Sequence, residues 1–425
     1  MNKTPAVRFK GFTEDWEQRK LKEFGYSEGG TSIESEFSEK GKYKVISIGS
    51  YSEDSKYTDQ GIRAIESDKT IRRILEQNDL TMILNDKTAS GNIIGRVLFI
   101  DESNVFVYNQ RTEMLRPNQD YYYPKFLYHL LNAPKHREKI IKQSQGNTQI
   151  YVNWSKISDI TYMLPELGEQ TNISNFYDQL DNLITNQQHK YEKLVNIKKS
   201  LLYKMFPQND SKVPEIRFAG FTDDWEQQAF EKVFDYLQNN TLSRAELNNE
   251  NGVAKNVHYG DVLIRYGEYL DISNSVLPYI TSQQVTNRFR SSLLKNGDVV
   301  MADTAEDETV GKCTELDGIS HYPIISGLHT IPLRPKIKFA AGYLGYYMNS
   351  SRYHNQLLPL IQGTKVSSIS KNALKNTSIL FPSKTDEQRL IGQYFIQLDN
   401  LIIFHHRKFE KLKQIKQAML HKMFV

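Results

Sequence analysis

The chain is poor in cysteine, with a single one, Cys313, among 425 residues. It has no partner for an internal disulfide, which points to a reducing cytoplasmic setting and to a thiol that packs rather than reacts. Long apolar runs are also missing. No stretch approaches the ~20 apolar residues of a membrane span, and the N-terminus carries no apolar leader core. Charge of one sign is scarce as well. The 54 Lys and Arg residues nearly balance 50 Asp and Glu, and the net charge of +4 selects no partner by itself. With 39% hydrophobic and 24% charged residues the composition is that of folded domains, and the length calls for two or three of them.

Signatures of catalysis are absent in the same way. The chain has no Asp/Asn-Pro-Pro-Tyr/Phe loop of an amino-methyltransferase, no His-Glu-x-x-His, no Cys-x-x-Cys pair and no nucleophile-elbow serine. Gly311-Lys312 looks like the end of a phosphate loop, but Cys313 stands where Ser or Thr is needed and the earlier glycine is missing. The acidic run 303–308 (DTAEDE) and the pair His405-His406 are the remaining metal candidates. A solvated loop explains the first better, and neighbouring helix residues face different ways, which disfavours the second.

What is present is repetition. Aligned from Pro5 and Pro214, 14-residue stretches (PAVRFKGFTEDWEQ and PEIRFAGFTDDWEQ) agree at ten positions. A second pair, residues 180–206 and 398–424, closes each half with the same Leu-Asp-Asn-Leu-Ile opening and Lys-Met-Phe ending. A repeat of this period decides the architecture before any local reading does. In the closing segments apolar or seam residues recur every three or four positions, from Ile173 to Met205 and from Ile391 to Met423. Such a stripe predicts a helix that packs against another helix. Each helix, 169–206 and 387–424, is about 38 residues or roughly 57 Å long. The cheapest partner for either stripe is the other copy, with Gln187 and His405 at the same polar seam position. The expected fold is therefore α+β. Two mixed α/β domains are joined by two long helices paired as an antiparallel coiled coil, with pseudo-twofold symmetry. The expected boundaries are 1–165, 166–207, 208–382 and 383–425.

Between the repeated parts lie two inserts with little in common, 19–165 and 228–382. Strands are predicted at 43–48, 80–84, 95–100, 105–108, 160–164, 261–265, 298–302, 330–333 and 378–381, and helices at 124–133 and 339–351. Four features recur. A strand runs into a polar, glycine-containing loop at 82–97 and 300–313, and a later segment ends in Leu-Arg-Pro at 115–117 and 333–335. An amphipathic helix follows, and then a Gln-Gly loop at 145–149 and 362–366. Recognition residues concentrate on such loops, and the polar loops carry side chains able to reach phosphates and base edges. Asn85, Lys87, Thr88, Ser90, Asn92 and Arg96 are the candidates in the first insert. Thr304, Arg265, Arg288 and Arg290 are those in the second, where the arginines lie beside Tyr266 and Phe289. Each basic cluster taken alone is more often a solvated surface; two on one repeated frame favour nucleic acid.

The Arg-Phe-x-Gly-Phe-Thr-x-Asp-Trp-Glu segments (residues 8–17 and 217–226), the divergent inserts, the Glu-Gln pairs at 169–170 and 387–388 and the closing Lys-Met-Phe together resemble the DNA-specificity subunit of type I restriction-modification enzymes. The resemblance covers essentially the whole chain. It implies a non-catalytic subunit whose two target-recognition domains each read one half of a split double-stranded DNA target, with the helices as a ruler. The partners it implies are two methyltransferase subunits and restriction/translocase subunits, with no membrane. No cofactor is expected in this chain; S-adenosylmethionine, ATP and Mg2+ would belong to the partners. It also implies that the Gln-Gly loops lie near DNA, which adds Gln145, Gly146, Asn147 and Thr148, and Gln362, Gly363, Thr364 and Lys365, to the candidates. Two other readings stay open, a helical scaffold that never touches DNA and a stand-alone enzyme. Salt-dependent DNA binding separates the scaffold from the specificity subunit, and S-adenosylmethionine binding or cleavage by this chain alone would mark the enzyme.

Overall fold

The computed structural model describes residues 3–363 and 365–425, so the candidate Thr364 lies outside the described residues. The chain forms two compact units, one gathering residues 1–187 with 407–425 and the other residues 188–406.

In the first unit an antiparallel sheet places strands Gly25–Gly29, Thr112–Pro117, Leu80–Ile83 and Val97–Phe99 in that spatial order. A second sheet orders Arg63–Ala64, Tyr43–Ile46 and Phe106–Tyr108, the last two parallel. The central strand is buried on both faces. Leu80 and Met82 enter a core with the helix Pro124–Asn132, while Ile83 packs with Leu98, Met114 and Tyr51 on the other side. That alternation is the two-residue period of a strand, and burial on both sides explains why the segment reads as an unbroken apolar run.

The second unit repeats the plan with one more strand. Phe234–Tyr236, Thr330–Pro335, Val299–Ala302, Cys313–Asp317 and Tyr269–Asp271 form one sheet, whose last pair is parallel. Tyr279–Ile280, Ala254–Val257 and Ile324–Ser326 form the other. Val299 and Met301 face the helix Tyr343–Asn349, and Val300 and Ala302 face the opposite core. Cys313 is fully buried, and burial pushes its thiol well up from the ordinary value.

One predicted strand is corrected. Residues 261–264 belong to the helix Tyr259–Ile264, started by the His258 side chain accepting the Gly260 N–H and closed by Arg265, whose N–H donates to Asp261 O. The cap overrides the apolar run, and Ile264 is left 85% exposed, a position no core strand would give it. Strands the sequence reading passed over include Gly25–Gly29, Cys313–Asp317 and Ile324–Ser326.

The long helices run over Leu167–Lys204 and Thr385–Lys422. Their repeated residues hold the helix starts. Arg8 donates two bonds of 2.8 Å to the buried Glu169 carboxylate, and the Trp16 indole N–H adds a third at 3.2 Å. Arg217 and Trp225 do the same to Glu387, at 2.7, 2.9 and 3.3 Å. The neighbouring Gln170 accepts from Tyr123 N and donates to Pro165 O; Gln388 accepts from Ala340 N and donates to Pro382 O. Removing one member of such a buried, multiply bonded pair leaves the other charge uncompensated, so the residues of the motif depend on one another.

Within the second unit, Phe206 stacks on Phe395 and meets Trp225 edge-on, and Lys198 pairs with both Asp399 (2.6 Å) and Glu268 (2.7 Å). Within the first, Phe424 stacks on Tyr177 and Lys416 pairs with Asp181 at 2.5 Å. In both units residue numbers rise on one helical segment as they fall on the other.

Candidate nucleic-acid interface

In the first unit the polar loop leaves the central strand at Leu84 and is folded by its own acid. Burial alone would raise the Asp86 carboxyl, but N–H groups of Ile93, Thr88 and Ile94 and the Thr88 hydroxyl outweigh it and hold it below its ordinary value. Arg137 donates to the carbonyls of Gly91, Asn92 and Ile94 at 3.0–3.1 Å. Asn132 clamps Val97, accepting from its N–H and donating to its C=O. Gly95, at φ +70°, is required: a β-carbon there would lie 2.8 Å from the Ile140 side chain.

The Gln-Gly loop comes to the same place. Gln145 and Tyr151 exchange two backbone bonds of 2.9 Å across Gly146, whose added β-carbon would lie 2.2 Å from Gln149 O. Tyr151 and Ile150 then pair with Asn85 and Asp86. Two segments about sixty residues apart are thus laddered into one surface that exposes Lys87, Thr88, Ser90, Asn92, Gln145, Asn147 and Thr148.

The second unit builds the same object from different residues. Thr304 and Ala305 pair with Ser368 and Ser367, and Gln362 and Ser368 exchange backbone bonds of 2.8 and 2.9 Å across Gly363. Asn349 clamps Cys313 as Asn132 clamps Val97. His354 takes the place of Arg137 and reaches one carbonyl, Val310 O, at 3.0 Å. Gly311 abuts Leu357 as Gly95 abuts Ile140, and Lys312 donates to Leu263 O, so the phosphate-loop look-alike is a scaffold element. The exposed residues here are Glu306, Asp307, Glu308, Thr309, Gln362 and Lys365.

Not every candidate reaches this surface. Asn85 is only 4% exposed, and Arg96 donates to Asn92 O and Ser55 Oγ, so both serve the loop from within. Arg265 ends a helix and pairs with Asp261. Arg288 and Arg290 are exposed beside the three-stranded sheet, without a described contact to the loop pair. The Leu-Arg-Pro arginines, read only as a landmark, hold the buried carboxylates of Asp79 and Asp298 through paired bonds of 2.6–2.9 Å. Asn132, Arg137 and their counterparts were missed altogether; the one signal was an Asn at the end of each amphipathic helix.

Among the described residues no group of three His, Cys, Asp or Glu could hold a metal, and no helix is long and apolar enough to cross a membrane.

The chain is 23% identical over 359 residues to the type I restriction enzyme MjaVIII specificity subunit of Methanocaldococcus jannaschii, covering 82% of this chain and 78% of that protein. A putative MjaX specificity subunit of the same organism is 28% identical over 130 residues, 30% of each chain. The fold is shared with the crystal structure of a type I restriction-modification S subunit from M. genitalium (TM-score 0.60, 14% identity, 99% of both chains). It is also shared with a chain from a study of complex assembly and conformational transition of the type I R-M system (TM-score 0.54, 15% identity, 96% of this chain and 97% of that one). The family model described as type I restriction modification DNA specificity domain matches residues 13–196 and again 222–414. The chain, carrying that domain twice over most of its length, belongs to the type I restriction-modification DNA-specificity family.

Proposed function

We propose that the chain is the DNA-specificity subunit of a type I restriction-modification complex. It reads a bipartite double-stranded target, one half-site per unit, and catalyses nothing itself. The observation that carries this is the loop pair, built twice on matching clamps and presenting different side chains each time. Matching clamps place two reading surfaces alike, and unlike surfaces suit unlike half-sites.

The seam contacts support the finer architecture of this reading. In it the long helices pair antiparallel as a coiled coil about a pseudo-twofold axis and act as a ruler. A helix of roughly 57 Å can hold two readers about one turn of B-DNA apart, ~34–36 Å. Both helices leave large apolar side chains exposed, among them Leu183, Val195, Tyr203, Leu401, Ile403 and Phe404, which suits docking of methyltransferase subunits. S-adenosylmethionine, ATP and Mg2+ are assigned to the partners, and the cytoplasm, where DNA is met, to the complex.

Replacing residues 19–165 with the corresponding insert of a relative tests the reading. Mapping of methylated adenines in a host that carries the hybrid system should show one half of the target changed and the other half and the spacing kept. A change in both halves sinks it.

A further inference from the structure

Two basic residues that belong to neither loop stand at the same place in the two units. Arg111 precedes the strand Thr112–Pro117, and His329 precedes Thr330–Pro335. Both adopt the left-handed conformation, at φ +65° and +53°. The carbonyl of each accepts the N–H of the residue that opens the polar loop, from Leu84 to Arg111 (2.9 Å) and from Asp303 to His329 (3.1 Å). Both residues are exposed. The backbone at these points asks for glycine or asparagine, and glycine would offer the same carbonyl without strain. Neither side chain takes part in that bond; histidine is among the residues tolerated in this conformation and arginine is not, so Arg111 is the one the fold leaves without account. The Arg111 guanidinium makes no ion pair or hydrogen bond with a described residue. The His329 ring lies beside the loop, its Nδ1 3.4 Å from both Thr304 Oγ1 and Asp303 Oδ1, and meets Tyr259 edge-on at 5.3 Å.

We propose that Arg111 and His329 are the phosphate anchors of the two reading surfaces. This rests on the DNA-reading role above and adds residues to it. The loops beside these positions differ in almost every exposed side chain, as readers of unlike half-sites must. The position itself stays basic, identically posed and bonded to the loop start. What two unlike half-sites share is the sugar–phosphate backbone, and phosphate contacts set register without reading sequence. Arg111 is the stronger anchor because its charge is unshared, whereas Asp303 stands against His329.

The test uses substitutions that relax the backbone while deleting the side chain. Arg111→Gly and His329→Gly should leave the thermal midpoint of the full chain unchanged or higher. In complex with its methyltransferase subunits, the wild-type chain first selects its target from a randomised DNA duplex library. Arg111→Gly should then bind the selected duplex roughly tenfold more weakly, with the slope of log affinity against log salt reduced by about one. The same motif should be selected by the variant. His329→Gly should weaken binding by less, with the selected motif unchanged. Wild-type affinity and slope in Arg111→Gly overturn the inference, and so does a selected motif altered at one base pair, which would make Arg111 a base reader. A wild-type complex that selects no motif overturns the DNA-reading role itself, a result distinct from either.

Discussion

The polar loop of the first unit and that of the second are held by matching parts and display opposite chemistry. Asn132 and Asn349 clamp the strand after the loop in the same way, and Gly95 and Gly311 let corresponding side chains, Ile140 and Leu357, approach it. Between these fixed points one loop shows Lys87, Thr88, Ser90 and Asn92, the other Glu306, Asp307 and Glu308. Carboxylates repel phosphate oxygens but accept from the amino group of cytosine, so the acidic loop is suited to a base edge and not to the backbone. The asparagine that bonds main chain on both sides is kept between the units, whereas the arginine that reaches three carbonyls gives way to a histidine that reaches one. Side chains that face outward are free to change, and on the reading proposed above that freedom would give the two units different half-sites.

The sharpest way to break the match is at the helix starts. Glu169→Ala and Glu387→Ala should each cost about 3–5 kcal/mol, since each strands a partly buried arginine, and the two losses should be similar in thermal unfolding. A loss under ~1 kcal/mol in one unit alone would show that its copy of the motif is ornamental.

The clamps should differ instead of matching. Arg137→Ala frees three carbonyls and should cost about 2–3 kcal/mol, against about 1 kcal/mol for His354→Ala, which frees one; denaturant titration of the two variants checks the ratio.

A third difference is visible in pH. Glu113 lies in the strand position that Ile331 fills in the second unit, and burial pushes its carboxyl up to about 7. The folded state then holds a proton that the unfolded state releases at ordinary carboxylate pH. The unfolded chain binds fewer protons through that interval, so stability falls as pH rises toward 7 and the full penalty stands above it. Glu113→Gln should add about 1–2 kcal/mol at pH 8, allowing for solvent screening, and nothing at pH 4. Equal gains at both pH values would show that the carboxyl is not the cause.

The smallest effect expected is at the acidic loop. Glu306→Gln with Glu308→Gln should strengthen binding of mixed-sequence DNA about two- to fivefold at low salt, an effect that salt removes. Equal changes in a control pair, Thr88→Ala with Ser90→Ala, would remove charge as the explanation.

The frame was legible in the sequence because its signals are local or repeated. Spacings of three and four show in any long amphipathic helix, and two copies of Arg-Phe…Trp-Glu cannot be missed. The central strands were legible as apolar runs. Residues 261–265 were not, because a helix of six residues has no room for a period and its cap is a histidine, an unusual choice. The polar loops and Gln-Gly loops could be named as candidates, but not their pairing, since ladder bonds join backbone atoms and leave no mark on side-chain identity. For the same reason Arg137 and Asn132 passed unnoticed. Their partners are carbonyls and an N–H some forty residues back, and nothing in the residues there announces them.

Residues 407–425 belong to the first unit, where Leu420, Met423 and Phe424 complete a core begun by Trp16. On the ribosome this reverses the usual order of completion. The first unit must wait with that core open until some two hundred intervening residues have been made, at ~5–20 residues per second an interval of tens of seconds. The second unit contains nothing that comes after residue 406 and can close first. The unit begun first is thus finished last, and a frameshift that alters residues 407–425 would open a core that Trp16 begins.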